Sequence, residues 1–557
     1  MTTEPIQTHS TAVNGVHING VINHPDISYQ LGDFAIDEYR PVRIAVIGAG
    51  YSGILAGIRI PQRLKNFELV IYERESGIGG TWYVNRYPTR WSSFYAPGHE
   101  ILAYLQKTAS KYHVEKYVKL QHELSGAEWD EENGKWLLKL TTPDGEVSDA
   151  VDVVLNCTGG LSNWNWPDIP GLHDFEGTLV HSAKWTLEKE AWEGKTVAVI
   201  GVGSSAIQIV PALQPKAAKV SNFVRGKTWI SAPFASREIS IRNPGGETHY
   251  FTEPEMKEFE NTEYYTKFRH DLEDELNAVH GSTQRGHPIQ HAAAAVFREA
   301  MLRKLAKKPW IAEHLIPDFP VACRRLTPGP GYLEALCEDN VEFVTENIAR
   351  ITPEGIETID GQHRAFDIIV CATGYDTTYR PRCSIKGRNG VDLQDKWKDF
   401  PVNYLSVATD GFPNWFYALG PNSAVGSGSL LVLIEKEIDY LLKIVTKLQR
   451  ERLKFVEVKK EAVEDFDEYS KTVYSVKCRS WYKMGKEEGR IAGLWPGSTL
   501  HALKVFGNPR WEDFNYESAD KTHNRFYWLG NGWTIPERDE VGDRAWYLDE
   551  IDYPPGS

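Results

Sequence analysis

The most informative feature of the sequence is an apolar run that leads directly into a glycine-rich turn. Val42–Ile47 is apolar at every position except Arg43, which is typical of a buried strand in a parallel sheet. The next six residues, Gly48-Ala49-Gly50-Tyr51-Ser52-Gly53, have the spacing G-x-G-x-x-G. A helical stretch, Ile54–Ile60, and a second apolar run, Phe67–Tyr72, follow. This order predicts a strand–turn–helix–strand unit of the kind that binds dinucleotides.

The residues of this turn have separate physical tasks. Gly48 permits the tight turn, Gly50 lets the backbone approach a pyrophosphate, and Gly53 lets the helix pack on the strand. The N–H groups at the helix N-terminus attract the phosphates. The second strand ends in Glu73, whose carboxylate is suited to bind a ribose 2′-hydroxyl. The residues expected to bind the first cofactor are Gly48, Gly50, Ser52, Gly53 and Glu73.

The same pattern occurs a second time. Lys195–Ile200 leads into Gly201-Val202-Gly203-Ser204-Ser205-Ala206, and the next strand, Val220–Val224, ends in Arg225. A carboxylate there would repel a 2′-phosphate, whereas a guanidinium binds one, and Lys227 adds a second cation. We therefore assign FAD to the first turn and NADPH to the second, with a purely surface role for Arg225 as the alternative. The residues expected to bind NADPH are Gly203, Ser204, Ser205, Ala206, Gln208, Arg225 and Gly226.

Two cofactor sites in one chain indicate an oxidoreductase in which hydride passes from nicotinamide to flavin. The apolar segments Val151–Gly160 and Phe366–Asp376 both run into Thr-Gly, as expected of a chain that crosses between two domains and returns. We predict an α/β fold with two Rossmann-like domains, the NADPH domain inserted in the FAD domain. The predicted boundaries are a flexible arm at 1–40, an FAD-binding domain at 41–165 and 360–557, and an NADPH-binding domain at 166–359 with a helical segment at 254–308.

Composition excludes several classes of protein. The 557-residue chain has a net charge of −14, which disfavours nucleic acid as a partner. No apolar run approaches the ~18 residues of a membrane span. Six cysteines without a C-x-x-C pair disfavour a thioredoxin-type dithiol and fit a reducing compartment, so a cytoplasmic location is expected. His280, His287 and His291 do not fit one ligand face of a helix, so we predict a polar loop and no metal site.

A further segment between the two units has a recognisable pattern. Phe175, Gly177, His181 and Trp185 form F-x-G-x-x-x-H-x-x-x-W, which resembles the motif of type I Baeyer–Villiger monooxygenases, although Thr186 stands where that family usually has Pro or Asp. Any one motif alone would also fit flavin enzymes that oxygenate nitrogen or sulfur. The other matching segments are Gly79–Tyr83, Asn85–Pro88, Cys323–Arg325, Ala372–Asp376 and Gly420–Asn422.

The resemblance implies a reaction and several residue roles. NADPH reduces FAD, O2 adds to give a C4a-peroxyflavin, and this attacks a ketone to yield an ester or lactone. The resemblance also gives the expectation of a role in secondary metabolism. Arg325 resembles the essential arginine that stabilises the negative charge, with a structural ion pair as the alternative role. Phe175, Gly177, His181 and Trp185 are expected to couple domain movement to the reaction. The resemblance also implies FAD contacts at Thr81, Trp82, Tyr83 and Val84, and pocket residues after Asn422 and around Leu494–Gly497.

One departure from the family lies directly after Pro88. The family has a stretch containing Cys-Asp there, and the resemblance implies that this Asp tunes the active arginine. Here Thr89-Arg90 leads at once into Trp91–Pro97, which resembles the family sequence beyond the missing stretch. Either the coding sequence is incompletely read at this junction, which sequencing the transcript across it would show, or the deletion is real. A real deletion would leave a flavin-binding protein with impaired turnover; a nitrogen- or sulfur-oxygenating enzyme is the other alternative.

Overall fold

The computed structural model describes residues 29, 31–84, 94–188, 190–473, 476–520 and 524–548. Contacts divide the chain into two units, Tyr39–Ala519 and a second unit formed by Met1–Glu38 with Asp520–Ser557. Residues 1–28 and 30 of the predicted arm, the Asn85–Pro88 motif and the junction between Pro88 and Trp91 lie outside the described residues.

A five-stranded parallel sheet forms around the first glycine-rich turn. The predicted strands Val42–Ile47 and Phe67–Tyr72 are present with those bounds and pair along their whole length. Alternate side chains enter different cores, so that Val46 and Ile47 face opposite sides of the sheet. Both faces are thus covered, as parallel sheets require. In spatial order the strands are Trp415–Tyr417, Val153–Asn156, Val42–Ile47, Phe67–Tyr72 and Val118–Lys119.

A second five-stranded parallel sheet forms around the second turn, and its two faces are also covered by separate cores. Its strand Ile368–Cys371 pairs with Thr196–Ile200. The predicted return to the FAD domain at residue 360 is therefore wrong, because the chain leaves this sheet only after Cys371. In spatial order the strands are Val341–Val344, Lys219–Phe223, Thr196–Ile200, Ile368–Cys371 and Thr178–His181.

The helical excursion occupies the chain between the short paired strands Ile230–Ser231 and Thr327–Pro328. His287 immediately precedes one of its helices, where its ring Nδ1 accepts a hydrogen bond from the Ile289 N–H and caps the helix. His291 lies inside that helix, so the predicted polar loop is wrong for this residue. The helices of the excursion are Ser236–Arg242, Glu253–Glu258, Thr262–Ala278, Pro288–Lys304 and Ile311–Leu315.

The remaining elements support the two sheets. The other strands are Glu123–Asp130, Lys135–Thr142, Gly145–Val151 and Ser384–Lys386 in one sheet, Ile348–Thr352, Gly355–Thr358 and His363–Ala365 in another, and the pair Leu453–Val458 and Phe514–Ser518. The other α-helices of the larger unit are Tyr51–Arg63, Thr81–Val84, Gly98–Lys111, Ser204–Leu213, Tyr332–Leu336, Leu393–Lys396, Leu430–Arg450, Lys460–Ser470 and Thr499–Val505.

The longest of these helices, Leu430–Arg450, packs against Tyr51–Arg63 in the core below the first sheet. Its Glu437 is fully buried, and Oε2 accepts a hydrogen bond of 2.9 Å from the Leu419 N–H, whereas Oε1 has no partner. Burial raises the pKa of the Glu437 carboxyl to about 8. Within the part of the chain that the structure describes, no helix combines the length and apolar character needed to cross a membrane.

The smaller unit corrects the prediction of a flexible arm up to residue 40. Phe34 and Ala35 are buried, and the Phe34 ring packs edge-on against Tyr527 at 5.3 Å. The Ile535 N–H donates to Asp37 Oδ1 at 2.8 Å. The apolar burial and the hydrogen bonds therefore fix residues 31–38 against the C-terminal segment, whose helix is Ile535–Arg538.

Candidate functional site

The first glycine-rich turn is closed by contacts of its own backbone. A Cβ on Gly53 would lie 1.9 Å from the Gly48 carbonyl oxygen, and one on Gly48, whose φ is +104°, would lie 2.7 Å from the Cys157 carbonyl oxygen. Gly50 precedes helix Tyr51–Arg63, and a Cβ on the facing Gly80 would lie 2.7 Å from its Cα. Two strands and a second glycine segment thus converge on the N-terminus of this helix, which fits a pyrophosphate cradle. Ser52 is buried in the first turn of the helix.

Glu73 lies at the end of the second strand, as predicted, and is buried. Its Oε2 accepts a hydrogen bond of 2.7 Å from the Ala49 N–H, and its Oε1 accepts one of 2.9 Å from the Glu75 N–H. Burial raises the pKa of the Glu73 carboxyl, and the two backbone donors oppose that rise. The carboxylate is therefore held beside the glycine turn, where a ribose hydroxyl would meet it.

The four residues that the resemblance assigns to FAD form one short helix, Thr81–Val84, which starts directly after Gly80. The Gly79 N–H donates to the Ala49 carbonyl oxygen at 3.0 Å, which ties this segment to the first turn. Trp82 packs against the core below the first sheet, and the Tyr83 hydroxyl hydrogen-bonds Ser76 Oγ at 2.8 Å. The structure therefore brings this segment together with the glycine turn.

The second turn is closed at its first glycine as the first turn is, because a Cβ on Gly201, whose φ is +127°, would lie 2.4 Å from the Ala372 carbonyl oxygen. Gly203 precedes helix Ser204–Leu213, and a Cβ placed on it meets no atom within 4 Å. Ser204 Oγ hydrogen-bonds Thr327 Oγ1 at 2.7 Å, and Gln208 Nε2 donates to the Ser204 carbonyl oxygen. Ser205 is half-buried and Ala206 is fully buried against the sheet. The open side above Gly203 is where the backbone N–H groups of this helix would meet a phosphate.

A group of cations lies at the end of the strand Lys219–Phe223. Arg225 is exposed, and Lys227 forms an ion pair with Asp318 at 3.1 Å. Arg324 donates from Nη1 to the Lys227 carbonyl oxygen at 3.0 Å, and its guanidinium stacks on the Phe319 ring. Sequence reasoning missed Arg324 as a member of this group. The signal in the sequence was its position directly before Arg325, and adjacency along the chain does not show which site a side chain faces.

Arg325 faces a cavity of about 240 Å³. It comes from the loop before Thr327–Pro328, and other lining residues come from the excursion and from three later segments. No carboxylate lies within 4.0 Å of Arg325 among the residues with described positions, so the structural ion pair is absent there. The residues lining the cavity are Phe234, Leu276, Val279, Thr283, Ala322, Arg324, Arg325, Leu326, Val425, Gly426, Ser427, Gly428, Tyr482 and Leu494.

Two loops named from the sequence as candidate pocket walls are joined by hydrogen bonds. The side chain of Asn422, which is buried and has φ +63°, donates to the carbonyl oxygens of Ile491 and Leu494 at 3.1 Å each. The Trp495 N–H donates to the Ala424 carbonyl oxygen at 2.8 Å. The two loops therefore form one wall of the cavity, and Asn422 fixes their separation.

His181 contacts both segments through which the chain crosses between the two sheets. The Trp164 ring, on the first crossing, stacks on the imidazole at 4.3 Å. On the second crossing, Thr373 Oγ1 lies 3.2 Å from Nε2, and Nδ1 accepts a hydrogen bond from the Ala183 N–H. Nε2 therefore carries the proton and donates to Thr373. Burial lowers the pKa of His181 to about 4, so the ring is neutral at physiological pH.

The other three motif residues pack around the strand Thr178–His181. Phe175 is buried, and a Cβ on Gly177 would meet the Phe175 ring at 2.5 Å. Trp185 is buried and contacts the Trp192 ring. These side chains fix the strand from which His181 projects, and none of them lines the cavity.

The neutral state of His181 makes the folded protein sensitive to acid. Its folded pKa lies below the ordinary 6.5, so the stabilisation is complete above pH 6.5 and is lost as the pH falls towards 4. Between pH 7 and pH 5, His181 should lower the free energy of unfolding of the wild type by about 2 kcal/mol, and His181→Gln should lack this decrease. Thermal unfolding across this range measures it, with the exposed His99→Gln as the matched control. Equal pH slopes for wild type and H181Q would contradict a buried neutral imidazole.

Comparisons with known proteins find relatives that are similar in sequence and in fold. Residues 86–238 match the flavin-binding monooxygenase-like family, and residues 46–106 match the NAD(P)-binding Rossmann-like domain. An FAD-binding monooxygenase of Aspergillus terreus is 38% identical over 537 residues, which cover 91% of this chain and 95% of that protein. A Baeyer–Villiger monooxygenase of Pseudomonas aeruginosa is 33% identical, covering 83% of this chain and 88% of its own. The NADP⁺-bound crystal structure of cyclohexanone monooxygenase from Rhodococcus superposes with a TM-score of 0.73 at 26% identity, over 86% of this chain and 100% of that one.

Proposed function

Because this chain belongs to the type I Baeyer–Villiger family of flavin-dependent monooxygenases, we propose that it inserts one oxygen atom from O2 next to a ketone carbonyl. The product would be an ester or a lactone. The chain is a flavoprotein monooxygenase that uses FAD and NADP. The carbonyl substrate and the roles of individual residues are the parts that we propose.

The observation that carries the proposal is the position of Arg325 at a largely apolar cavity. Oxygen insertion builds negative charge on the ketone oxygen, and a cation held beside that oxygen stabilises the charge. A guanidinium stays charged at every working pH and offers several donors in a fixed plane. With no carboxylate beside it among the described residues, the charge of Arg325 is available to the substrate. We assign Arg325 the catalytic role.

The cofactors bound at the two glycine-rich turns would supply the redox chemistry, since FAD accepts hydride from NADPH and in reduced form activates O2. Within the chain, the first turn and the helix Thr81–Val84 would hold FAD, with Glu73 at the ribose. The second turn would hold the NADPH pyrophosphate above Gly203, with Arg225 at the 2′-phosphate. His181 would transmit movement between the two domains, because both crossing segments are anchored to its ring.

Turnover with chemically distinct substrates tests the proposed reaction. The purified protein is loaded with FAD and incubated with NADPH and isotopically labelled O2, in parallel with a panel of cyclic and linear ketones, sulfides and amines. We expect an ester or lactone that contains one labelled oxygen atom, together with NADPH consumption in equal amount. Oxygenated sulfides or amines without any ester would overturn the proposal in favour of a heteroatom oxygenase. NADPH consumption that yields only hydrogen peroxide would indicate impaired turnover.

Arg225 should determine the preference for NADPH over NADH. A hydrogen bond to a charged group contributes roughly 1.5–3 kcal/mol, so Arg225→Gln should lower kcat/KM for NADPH roughly 10- to 100-fold. The value for NADH, which lacks the 2′-phosphate, should not change. Initial rates with both nucleotides measure this, and Arg298→Gln, an exposed arginine on helix Pro288–Lys304, is the matched control. If R225Q keeps the wild-type preference for NADPH over NADH, Arg225 has only a surface role.

A further inference from the structure

A disulfide between Cys323 and Cys478, 155 residues apart, joins two Cys-Arg dipeptides. Arg324 follows the first cysteine and Arg479 follows the second. One half of the pair belongs to the loop that carries Arg325, and the other belongs to the loop that carries the cavity residue Tyr482. The covalent link thus brings two arginines from distant parts of the chain to one place.

These two arginines are not neutralised. In the described part of the chain, no carboxylate lies within 4.0 Å of either guanidinium, and the buried Nε of Arg324 has no hydrogen-bond partner. Burial first, and then the charge of Arg479, lower the pKa of Arg324. Two like charges held together without a counter-charge are unfavourable, and an anion placed between them would remove that penalty.

The position of Arg324 indicates which anion this is. Its Nη1 donates to the Lys227 carbonyl oxygen, and a Cβ on Gly226 would lie 3.9 Å from its Nη2. Arg324 therefore contacts the segment directly after Arg225, at the end of the strand where the fingerprint places the ribose 2′-substituent of a dinucleotide. A dianionic phosphate at this position would lie within the same group of cations.

We propose that Arg479 is a further ligand of the 2′-phosphate of NADPH, held beside Arg324 by the Cys323–Cys478 bond. The inference rests on NADP binding and not on the identity of the oxygenated substrate. Reduction of the bond by a dithiol breaks one S–S bond, delivers two electrons and two protons to give two thiols, and converts the reductant to its cyclic disulfide. The freed loop no longer fixes Arg479, so the affinity for the 2′-phosphate falls.

Calorimetric titration of the FAD-loaded protein with NADP⁺, without turnover, tests the role of Arg479. We expect Arg479→Gln to weaken NADP⁺ binding roughly 10-fold, as expected for loss of one charge-assisted hydrogen bond. The affinity for NAD⁺, measured by competition, should stay the same. Lys477→Gln, on the other side of Cys478, is the matched control because its side chain is exposed and pairs only with Glu488 in the described residues. Equal losses for NADP⁺ and NAD⁺, or no loss for NADP⁺, would overturn the proposal.

The same titration after treatment with dithiothreitol tests the cysteine pair. Wild-type protein should gain two thiols, counted by mass spectrometry after alkylation, and its affinity for NADP⁺ should fall to the value found for R479Q. Reduction should have no further effect on R479Q itself. Cys323→Ser should behave like the reduced wild type, whereas Cys383→Ser, which alters a cysteine outside the disulfide, should respond to reduction as wild type does. An unchanged affinity after verified reduction would overturn the role of the bond, whatever substrate the enzyme oxygenates.

Discussion

Replacement of Arg325 by alanine should abolish most ketone oxygenation while NADP⁺ still binds. Removal of one donor that stabilises developing negative charge typically lowers kcat about 10²- to 10³-fold, which corresponds to about 2.7–4 kcal/mol of transition-state stabilisation. Arg325 is exposed at the cavity and makes no ion pair among the described residues, so the loss should not come from unfolding. Product formation per NADPH consumed is the decisive quantity, since oxidase activity that releases hydrogen peroxide should persist.

Two further variants make this result interpretable. Arg325→Lys keeps the charge but not the planar set of donors, so we expect partial activity if charge alone matters and little activity if geometry matters. Arg298→Ala removes an exposed arginine on the helical excursion and should leave the amount of product formed per NADPH consumed unchanged. The catalytic assignment fails if R325A couples NADPH consumption to product as well as the wild type does.

Glu437 should make the protein less stable at neutral pH than at acidic pH. Its folded pKa of about 8 lies above the ordinary 4.5, so the stability is fully present below pH 4.5 and is lost as the pH rises towards 8. At pH 7 this amounts to roughly 3 kcal/mol. Replacing Glu437 by Gln keeps an acceptor for the Leu419 N–H and removes the ionisable group. The variant should therefore unfold at a higher temperature than the wild type at pH 7.

The comparison across pH identifies the cause. The difference between E437Q and the wild type should shrink to a small constant near pH 4, because the carboxyl is then protonated in both the folded and the unfolded chain. Glu435→Gln, two residues earlier on the exposed side of the same helix, is the matched control and should show no such trend. A difference that does not vary with pH would mean that packing, and not ionisation, distinguishes the two side chains.

The sequence predicted those parts of the fold in which local pattern and tertiary structure agree. Val42–Ile47 and Phe67–Tyr72 have the predicted bounds because strand, turn and helix each carry their own signal. The predicted boundary at residue 360 is wrong because the local sequence of Ile368–Cys371 predicts a strand but does not indicate which of the two sheets this strand joins. The Cys323–Cys478 bond spans 155 residues and has no local pattern at all. Arg324 and Glu437 acquire their significance from neighbours in space, which spacing along the chain does not reveal.

The glycines within each turn differ in what a substitution would report. At Gly48 and Gly53 an added methyl group collides with backbone carbonyl oxygens, so those positions are constrained by the architecture whether or not a nucleotide is present. At Gly203 the same methyl group meets no protein atom within 4 Å. At Gly50 of the first turn it meets only the Gly80 Cα, at the ordinary contact distance of 3.5 Å. Alanine at Gly50 or Gly203 would therefore leave the protein's own contacts in place, so a loss of cofactor affinity in either variant would report directly on how closely the ligand approaches the backbone.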